Sequence, residues 1–132
     1  MTTEVSLELP SEPGAAAAAR QALVPLANKL DALLFDDVRL LVSELVTNSV
    51  RHTNSLPDAV VRLEISLSAT LVRIDVRDAG PGFTPKERTP GQDQASGWGI
   101  FLVDRLSERW GVMRNGGAHV WCELRRDAAR AA

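Results

Sequence analysis

Apolar and polar residues alternate with a period of two along five stretches of the chain, and this alternation predicts β-strands that each have one covered face. The stretches are Thr3–Leu9, Val60–Leu67, Leu71–Val76 and, approximately, Arg109–Arg114 and Ala118–Arg125. The turn Asn115-Gly116-Gly117 between the last two is a strong hairpin signal. In the second and third of these stretches, the polar positions place Arg62, Glu64, Arg73 and Asp75 on the uncovered side, so we expect a half-solvated sheet.

Three other stretches have apolar residues at helical spacing: Ala15–Leu30, Asp36–Thr53 and Ile100–Leu106. Pro25 should kink or split the first of these helices, because proline removes a backbone donor. Asp36 is the predicted N-cap of the second helix, where Asp37 would lie near the positive end of the helix dipole. No apolar period survives from Phe83 to Ser96, which predicts a surface loop.

The second helix carries a polar stripe beside its apolar face. Glu44 and Asn48 are four residues apart and therefore lie on one side, with Arg51 and His52 one turn later. One interpretation is a solvated face with a contact between glutamate and arginine. The other is a hydrated magnesium site, because Mg²⁺ takes hard oxygen ligands and keeps several waters.

Composition limits the class of protein. The chain has 132 residues, 45% of them hydrophobic and 24% charged, which fits one globular domain over residues 1–132 with a frayed tail from about 127. The net charge of −2 suggests no basic field for nucleic acid. No apolar run approaches the roughly 20 residues that span a bilayer, so we expect a cytoplasmic protein. The lone Cys122 lies in a strand-like run and is expected to be a structural thiol.

Two glycine motifs follow the polar helix in order. Asp78-x-Gly80-x-Gly82 comes directly after a predicted strand, and Gly97-x-Gly99 opens the third helix. Either motif alone is compatible with an ordinary turn, but the ordered set points to a nucleotide, because glycines let the backbone approach phosphate. A carboxylate such as that of Asp78 could accept a hydrogen bond from the amine of adenine. Neither a P-loop nor a dinucleotide-binding fingerprint is present.

At these residues the chain resembles the GHKL ATPases. Glu44-x-x-x-Asn48, Asp78-x-Gly80-x-Gly82 and Gly97-x-Gly99 match the family's N, G1 and G2 boxes, and SELVTNSVRH and GWGIFLVDRLSERWG look most like the stand-alone bacterial anti-sigma factor serine kinases. The resemblance extends over nearly the whole chain. It implies a histidine-kinase-like ATPase fold: an α/β sandwich with a mixed, mostly antiparallel five-stranded sheet, three helices on one face, and ATP between the second helix and a lid loop.

The resemblance also implies roles for the matching residues. Glu44 would be the general base, Asn48 the ligand of Mg²⁺ and Asp78 the adenine contact. The backbone positions around the phosphates and lid would be Gly80, Gly82, Gly97 and Gly99. Members of this family bind a sigma factor and phosphorylate a serine of an anti-anti-sigma antagonist protein, and a homodimer is expected by the same resemblance.

Three functions are therefore compatible with the sequence. The first is an ATP-dependent protein serine kinase that also sequesters a sigma factor, which rests on Glu44 in the base position. The second is a regulator that holds a protein partner in a nucleotide-dependent way without chemistry. The third is a detached histidine-kinase catalytic domain, which would require a separate acceptor protein because the chain has no phosphoacceptor helix pair.

Overall fold

The computed structural model describes residues 1–80, 101–114 and 116–126. In this part of the chain the strands are β1 (Thr2–Pro10), β2 (Val60–Leu67), β3 (Leu71–Asp78), β4 (Arg109–Arg114) and β5 (Ala118–Arg125). The helices are α1 (Ala15–Ala22), a 3₁₀ helix (Val24–Asn28) and α2 (Ala32–Thr53). A further helix, α3, is described over residues 101–106.

The five strands form one sheet in the order β1-β2-β3-β5-β4. All four pairings between neighbouring strands are antiparallel, so the predicted five-stranded, mostly antiparallel sheet is confirmed. The chain leaves the sheet after β3, returns at the edge as β4 and then enters the gap beside β3 as β5. This crossover brings Ala118, at the start of β5, opposite Asp78, at the end of β3.

The first predicted helix is split, as expected from its proline. Helix α1 ends at Ala22, and Pro25 lies in the first turn of the 3₁₀ helix that follows. The proposed N-cap of α2 was wrong. Its N-cap is Asp31, whose side chain accepts a hydrogen bond from the Leu34 amide at 2.9 Å, so Asp36 and Asp37 lie inside the helix. Burial and repulsion from neighbouring aspartates raise the pKa of Asp37.

The helices cover one face of the sheet and enclose the core. Helix α2 packs against α1, β2 and β3, and Val103 of α3 is fully buried in the same core. The side chains of α2 that point into the core are completely or almost completely buried: Val38, Leu41, Val42, Leu45 and Val46. Cys122 is fully buried as well, and burial raises the pKa of its thiol to about 12, as expected for a structural cysteine. No described helix is long and apolar enough to cross a membrane.

The opposite face of the sheet carries polar side chains, but one of them is not solvated as predicted. Asp75 is only 5% exposed, because its neighbours on β3 and β5 fold over it. Arg73 donates to its carboxylate at 3.1 Å, and His119 lies 2.7 Å from it. Burial alone would raise the pKa of Asp75, but these two contacts outweigh it and hold the pKa below the usual value.

The same arginine links β3 to β5, and the tryptophan beside it reaches β4. Arg73 also pairs with Glu123 at 3.2 Å, and its guanidinium lies 4.6 Å from the centre of the Trp121 ring. The indole rests on Gly111, where an added Cβ would come within 2.8 Å of the ring nitrogen. The alternation of the sequence therefore assigned Arg73 and Asp75 to the correct face, but the contacts between strands decide which polar side chains on that face reach water.

Candidate functional site

Helix α2 presents Glu44 and Asn48 on one side, one turn apart, as their spacing predicts. Glu44 is half-buried, and within the described part of the chain its carboxylate has no hydrogen bond or ion pair. It is therefore available to a ligand or to a reacting group. The interpretation of this stripe as a solvated face does not hold for Asn48, which is only 2% exposed.

The buried amide of Asn48 has unmet hydrogen-bonding capacity. Its oxygen accepts one long hydrogen bond from Nη1 of Arg51, at 3.4 Å. Its nitrogen, Nδ2, is buried and has no partner among the residues that the structure describes. A buried polar atom without a partner costs about 1–3 kcal/mol, so this side chain is suited to a group that would satisfy it.

Asp78 and Gly80 form a tight turn at the end of β3. The Gly80 amide donates to Oδ1 of Asp78 at 2.8 Å, which fixes the orientation of the carboxylate. One carboxylate oxygen is thereby used within the turn, while the other keeps its lone pairs for a ligand. Asp78 is half-buried and Gly80 is buried, so the carboxylate lies at the edge of the core.

The turn is packed against the carboxyl end of α2. A Cβ at Gly80 would lie 2.6 Å from Cγ2 of Thr53 and 3.3 Å from the carbonyl oxygen of His52, so only glycine fits. Thr53 is itself fully buried. Its hydroxyl donates to the Ser49 carbonyl at 2.7 Å and lies 2.7 Å from Oγ of Ser11, which must then be the donor in that pair.

The sequence did not identify Thr53 and Ser11 as part of this region. Thr53 had been assigned only to the end of a helix, and Ser11 lies between a strand and a Pro-Gly turn. Their role depends on contacts between residues 42 positions apart. One signal was available in the sequence. A threonine at the end of a largely buried helix has a hydroxyl that needs a hydrogen-bond partner, and this points to a contact with another segment.

Three of the predicted site residues cannot be placed. Gly82, Gly97 and Gly99 lie outside the described residues, as does the predicted lid from Phe83 to Ser96. The described part of the site therefore consists of Glu44 and Asn48 on α2 and Asp78 with Gly80 after β3. Arg51 and His52 lie beside these residues on the last turns of α2.

These residues fit a magnesium nucleotide. The oxygen of Asn48 has two lone pairs, of which Arg51 uses one, so it could also ligate Mg²⁺. The unsatisfied Nδ2 could donate to a phosphate oxygen. The described residues contain no cluster of three or more histidine, cysteine, aspartate or glutamate side chains that would form a metal site. Phosphate oxygens and water would then complete the coordination, as Mg²⁺ commonly requires.

Two serine-protein kinases are similar to this chain in sequence. The chain is 25% identical over 122 residues to the serine-protein kinase RsbW of Listeria innocua serovar 6a, and the match covers 82% of this chain and 78% of that protein. It matches RsbW of Listeria monocytogenes serotype 4a over the same proportions and with the same identity.

Solved structures of a blue-light activated histidine kinase from Erythrobacter litoralis EL346 are also similar. The match to that protein has a TM-score of 0.57 and 27% identity, and it covers 72% of this chain but only 31% of the kinase. The match to its histidine kinase domain has a TM-score of 0.53 and 30% identity, over 68% of this chain and 43% of the domain structure. Residues 9–123 match the model of the histidine kinase-like ATPase domain, and the chain therefore belongs to that family.

Proposed function

We propose that the protein is an ATP-binding anti-sigma regulatory protein that acts in the cytoplasm as a protein serine kinase. The observation that supports this most directly is a pair of side chains on α2: Glu44, a carboxylate without a partner among the described residues, and Asn48, a buried amide whose nitrogen has none there either. The relatives named serine-protein kinase favour serine over histidine as the acceptor. The similarity to a histidine kinase keeps the detached histidine-kinase function as the alternative to be tested.

The adenine end of the site would be the turn after β3. Asp78 is held by the Gly80 amide, so its second carboxylate oxygen is aimed without further reorganisation. It would accept a hydrogen bond from the exocyclic amine of adenine, a donor that guanine lacks at that position. A pre-oriented acceptor loses less entropy on binding, which favours both affinity and selectivity.

The phosphate end would be the middle of α2. Bound MgATP would supply the transferable γ-phosphoryl group and the cation that neutralises its charge. Asn48 would hold the cation through its oxygen and a phosphate through its nitrogen. Glu44 would accept the proton of the serine hydroxyl as that oxygen bonds to the γ-phosphorus and the bond to ADP breaks. Phosphoryl transfer depends mainly on positioning, which a rigid helix provides. Gly82, Gly97 and Gly99 would contribute backbone positions around the phosphates and lid.

The proposed partners are a sigma factor, which the protein would sequester, and an anti-anti-sigma antagonist, which would carry the phosphorylated serine. A homodimer is part of the same proposal. These partners rest on the resemblance of the sequence to stand-alone anti-sigma factor kinases and on the two kinases of Listeria.

The experiment is a pull-down with tagged protein from the source cells in the presence of Mg²⁺ and ATP. The recovered proteins would be identified by mass spectrometry, and the purified partner would then be incubated with [γ-³²P]ATP. We expect an acid-stable phosphoserine on a small antagonist protein. Glu44→Gln should abolish transfer and retain ATP binding. Glu64→Gln, on the opposite face of the sheet, should retain both transfer and ATP binding.

Each other outcome has a defined meaning. Label that is lost in acid would indicate phosphohistidine and would replace the serine kinase proposal by the histidine-kinase alternative. A partner that binds in a nucleotide-dependent manner but is never labelled would indicate a regulator without chemistry. Full transfer by Glu44→Gln would refute the assignment of the base.

A further inference from the structure

Gly117 lies at the end of the β4–β5 turn, next to the proposed adenine contact Asp78. It directly precedes Ala118, which pairs with Asp78 across β5 and β3. A Cβ built at Gly117 would lie closer than 3.0 Å to the carbonyl oxygen of Asp78, a separation that real Cβ atoms essentially never show. It would also lie 3.3 Å from the Cα atom of Ala79. The atoms in conflict are backbone, so they can separate only if the turn moves.

The backbone angle does not explain the need for glycine here. In the same turn, Gly116 has φ of +71° but open space where a side chain would extend, while Gly117 is not in the left-handed region. Glycine is therefore favoured at position 116 by the backbone angle and at position 117 by the close approach of another segment. The two neighbours separate the effect of turn strain from the effect of close approach.

The Asp78 turn is thus held from two sides. Gly80 fits under Thr53 and the His52 carbonyl at the end of α2, and Gly117 fits against the backbone of Asp78 from β5. These two close approaches limit how far the turn can shift in either direction. The carboxylate is fixed within it by the Gly80 amide, so a shift of the turn would move the carboxylate as well.

We infer that Gly117 is a positioning residue that sets the preference of the site for adenine. It acts through Asp78. Because Gly117 has no side chain, β5 can approach the Asp78 turn closely, and this places the carboxylate within hydrogen-bond distance of the exocyclic amine of adenine. The inference rests on the proposed function, since it requires the adenine contact to be at Asp78. It predicts that a methyl group at a residue with no ligand contact of its own changes base selectivity.

The test is the ratio of affinities for ATP and GTP, measured by isothermal titration calorimetry with Mg²⁺. Gly117→Ala should weaken ATP by roughly tenfold or more, the cost of misplacing one hydrogen bond to a charged group, and should leave the weaker GTP affinity unchanged. A general loss of structure would weaken both nucleotides together. The matched control is Gly116→Asn, because asparagine tolerates the left-handed region and the space is open. It should keep the wild-type ratio.

A double-mutant cycle tests the route through the carboxylate. Asp78→Asn should lower the ATP preference, and adding Gly117→Ala to it should have little further effect. Additive losses, or an unchanged ratio in Gly117→Ala, would overturn the inference. If the wild type binds no ATP, the proposed function fails as a whole. If Asp78→Asn weakens ATP and Gly117→Ala does not, only the role of Gly117 fails.

A measurement on the wild type covers the case in which Gly117→Ala does not fold. The ¹⁵N–¹H signal of Gly117 should shift when ADP is titrated into the protein, and GDP at equal saturation should shift it much less. The Gly14 signal serves as the control, because Gly14 lies in open space before α1. Equal shifts of the Gly117 signal with the two nucleotides would contradict the coupling of Gly117 to the base.

Discussion

Replacing Asn48 with leucine should make the nucleotide-free protein more stable while removing its stabilisation by nucleotide. Asn48 is 2% exposed, and among the described residues its Nδ2 has no hydrogen-bond partner. Its oxygen has one contact at 3.4 Å, near the outer limit of a hydrogen bond. Leucine has a similar branched shape and no polar atom, so it removes the unsatisfied group and keeps most of the packing.

The magnitude follows from one stabilising and two destabilising contributions. An unsatisfied buried polar group costs about 1–3 kcal/mol, and the long contact with Arg51 returns on the order of 0.5 kcal/mol. The larger leucine side chain costs up to about 1 kcal/mol in tight packing. The expected net gain in the free energy of unfolding is therefore about 1 kcal/mol. In the wild type, MgADP at 100 times its dissociation constant should add about 2.7 kcal/mol, and in Asn48→Leu it should add nothing.

Urea denaturation followed by circular dichroism, with and without MgADP, measures both quantities. The control is Asn54→Leu, which changes an exposed asparagine at the C-cap of the same helix. It should alter the free energy of unfolding by less than about 0.5 kcal/mol and should retain the nucleotide effect. A loss of 1 kcal/mol or more in nucleotide-free Asn48→Leu would show that the amide is satisfied in solution and would refute the argument. Full stabilisation of that variant by MgADP would remove Asn48 from the site.

Three further predictions test the fold. The pKa of Asp75 is held below 3.8, so its contribution to the free energy of unfolding is complete above that pH and is lost as the pH falls through the lowered pKa. Asp75→Asn should cost about 1–3 kcal/mol at pH 7. In urea titrations from pH 7 to 2, this variant should lose less stability in acid than the wild type. Leu45→Ala should cost about 2–5 kcal/mol, whereas Leu40→Ala, at a position 41% exposed, should cost less than about 0.5 kcal/mol; equal costs would contradict the assigned core face. Asp31→Ala should lower the free energy of unfolding by about 0.5–2 kcal/mol, measured by thermal denaturation, and Asp36→Ala should lower it much less. A larger loss in Asp36→Ala would indicate that Asp36 is the N-cap.

Local patterns in the sequence determine most of the fold. The predicted bounds of β2, β4 and β5 coincide with those of the structure, because alternation and turn residues act over a few neighbouring positions. The start of α2 was wrong because two aspartates compete as caps. Leu33, in the first turn after Asp31, is 68% exposed, so the apolar period becomes regular only later in the helix. Periodicity then favoured the second aspartate.

The burial of Asp75 could not be predicted from its own strand. Alternation placed it correctly on the uncovered face, but the groups that cover it come from β3 and β5, with Arg73 beside it and His119 from 44 residues later. Trp121 completes the cover by supporting the arginine. Burial on an open sheet face therefore depends on strand order, and the crossover that places β5 next to β3 is not encoded in any one segment.

In the candidate site, too, some features belong to one segment and others depend on contacts between distant segments. The spacing of Glu44 and Asn48 is a property of one helix, and the position of Asp78 at a strand end is a property of one strand. The contacts of Gly80 with Thr53 and of Gly117 with Asp78 join distant segments, and composition gives no sign of them. The sequence thus proposes the chemical groups of the candidate site, while the structure was needed to identify the residues that hold them in place.

The position of α2 connects both ends of the proposed nucleotide site. Its middle carries Glu44 and Asn48, and its last turn contacts the Asp78 turn through Thr53. Asn48 and Thr53 are separated by about 7.5 Å along the helix axis, at 1.5 Å per residue, which is on the scale of a nucleoside. The same helix is anchored by fully buried apolar residues, so the core sets the spacing between the proposed base and phosphate contacts. In the proposed kinase, catalysis would come from these fixed positions, and a partner or lid would control access to the site and not the distance between its two ends.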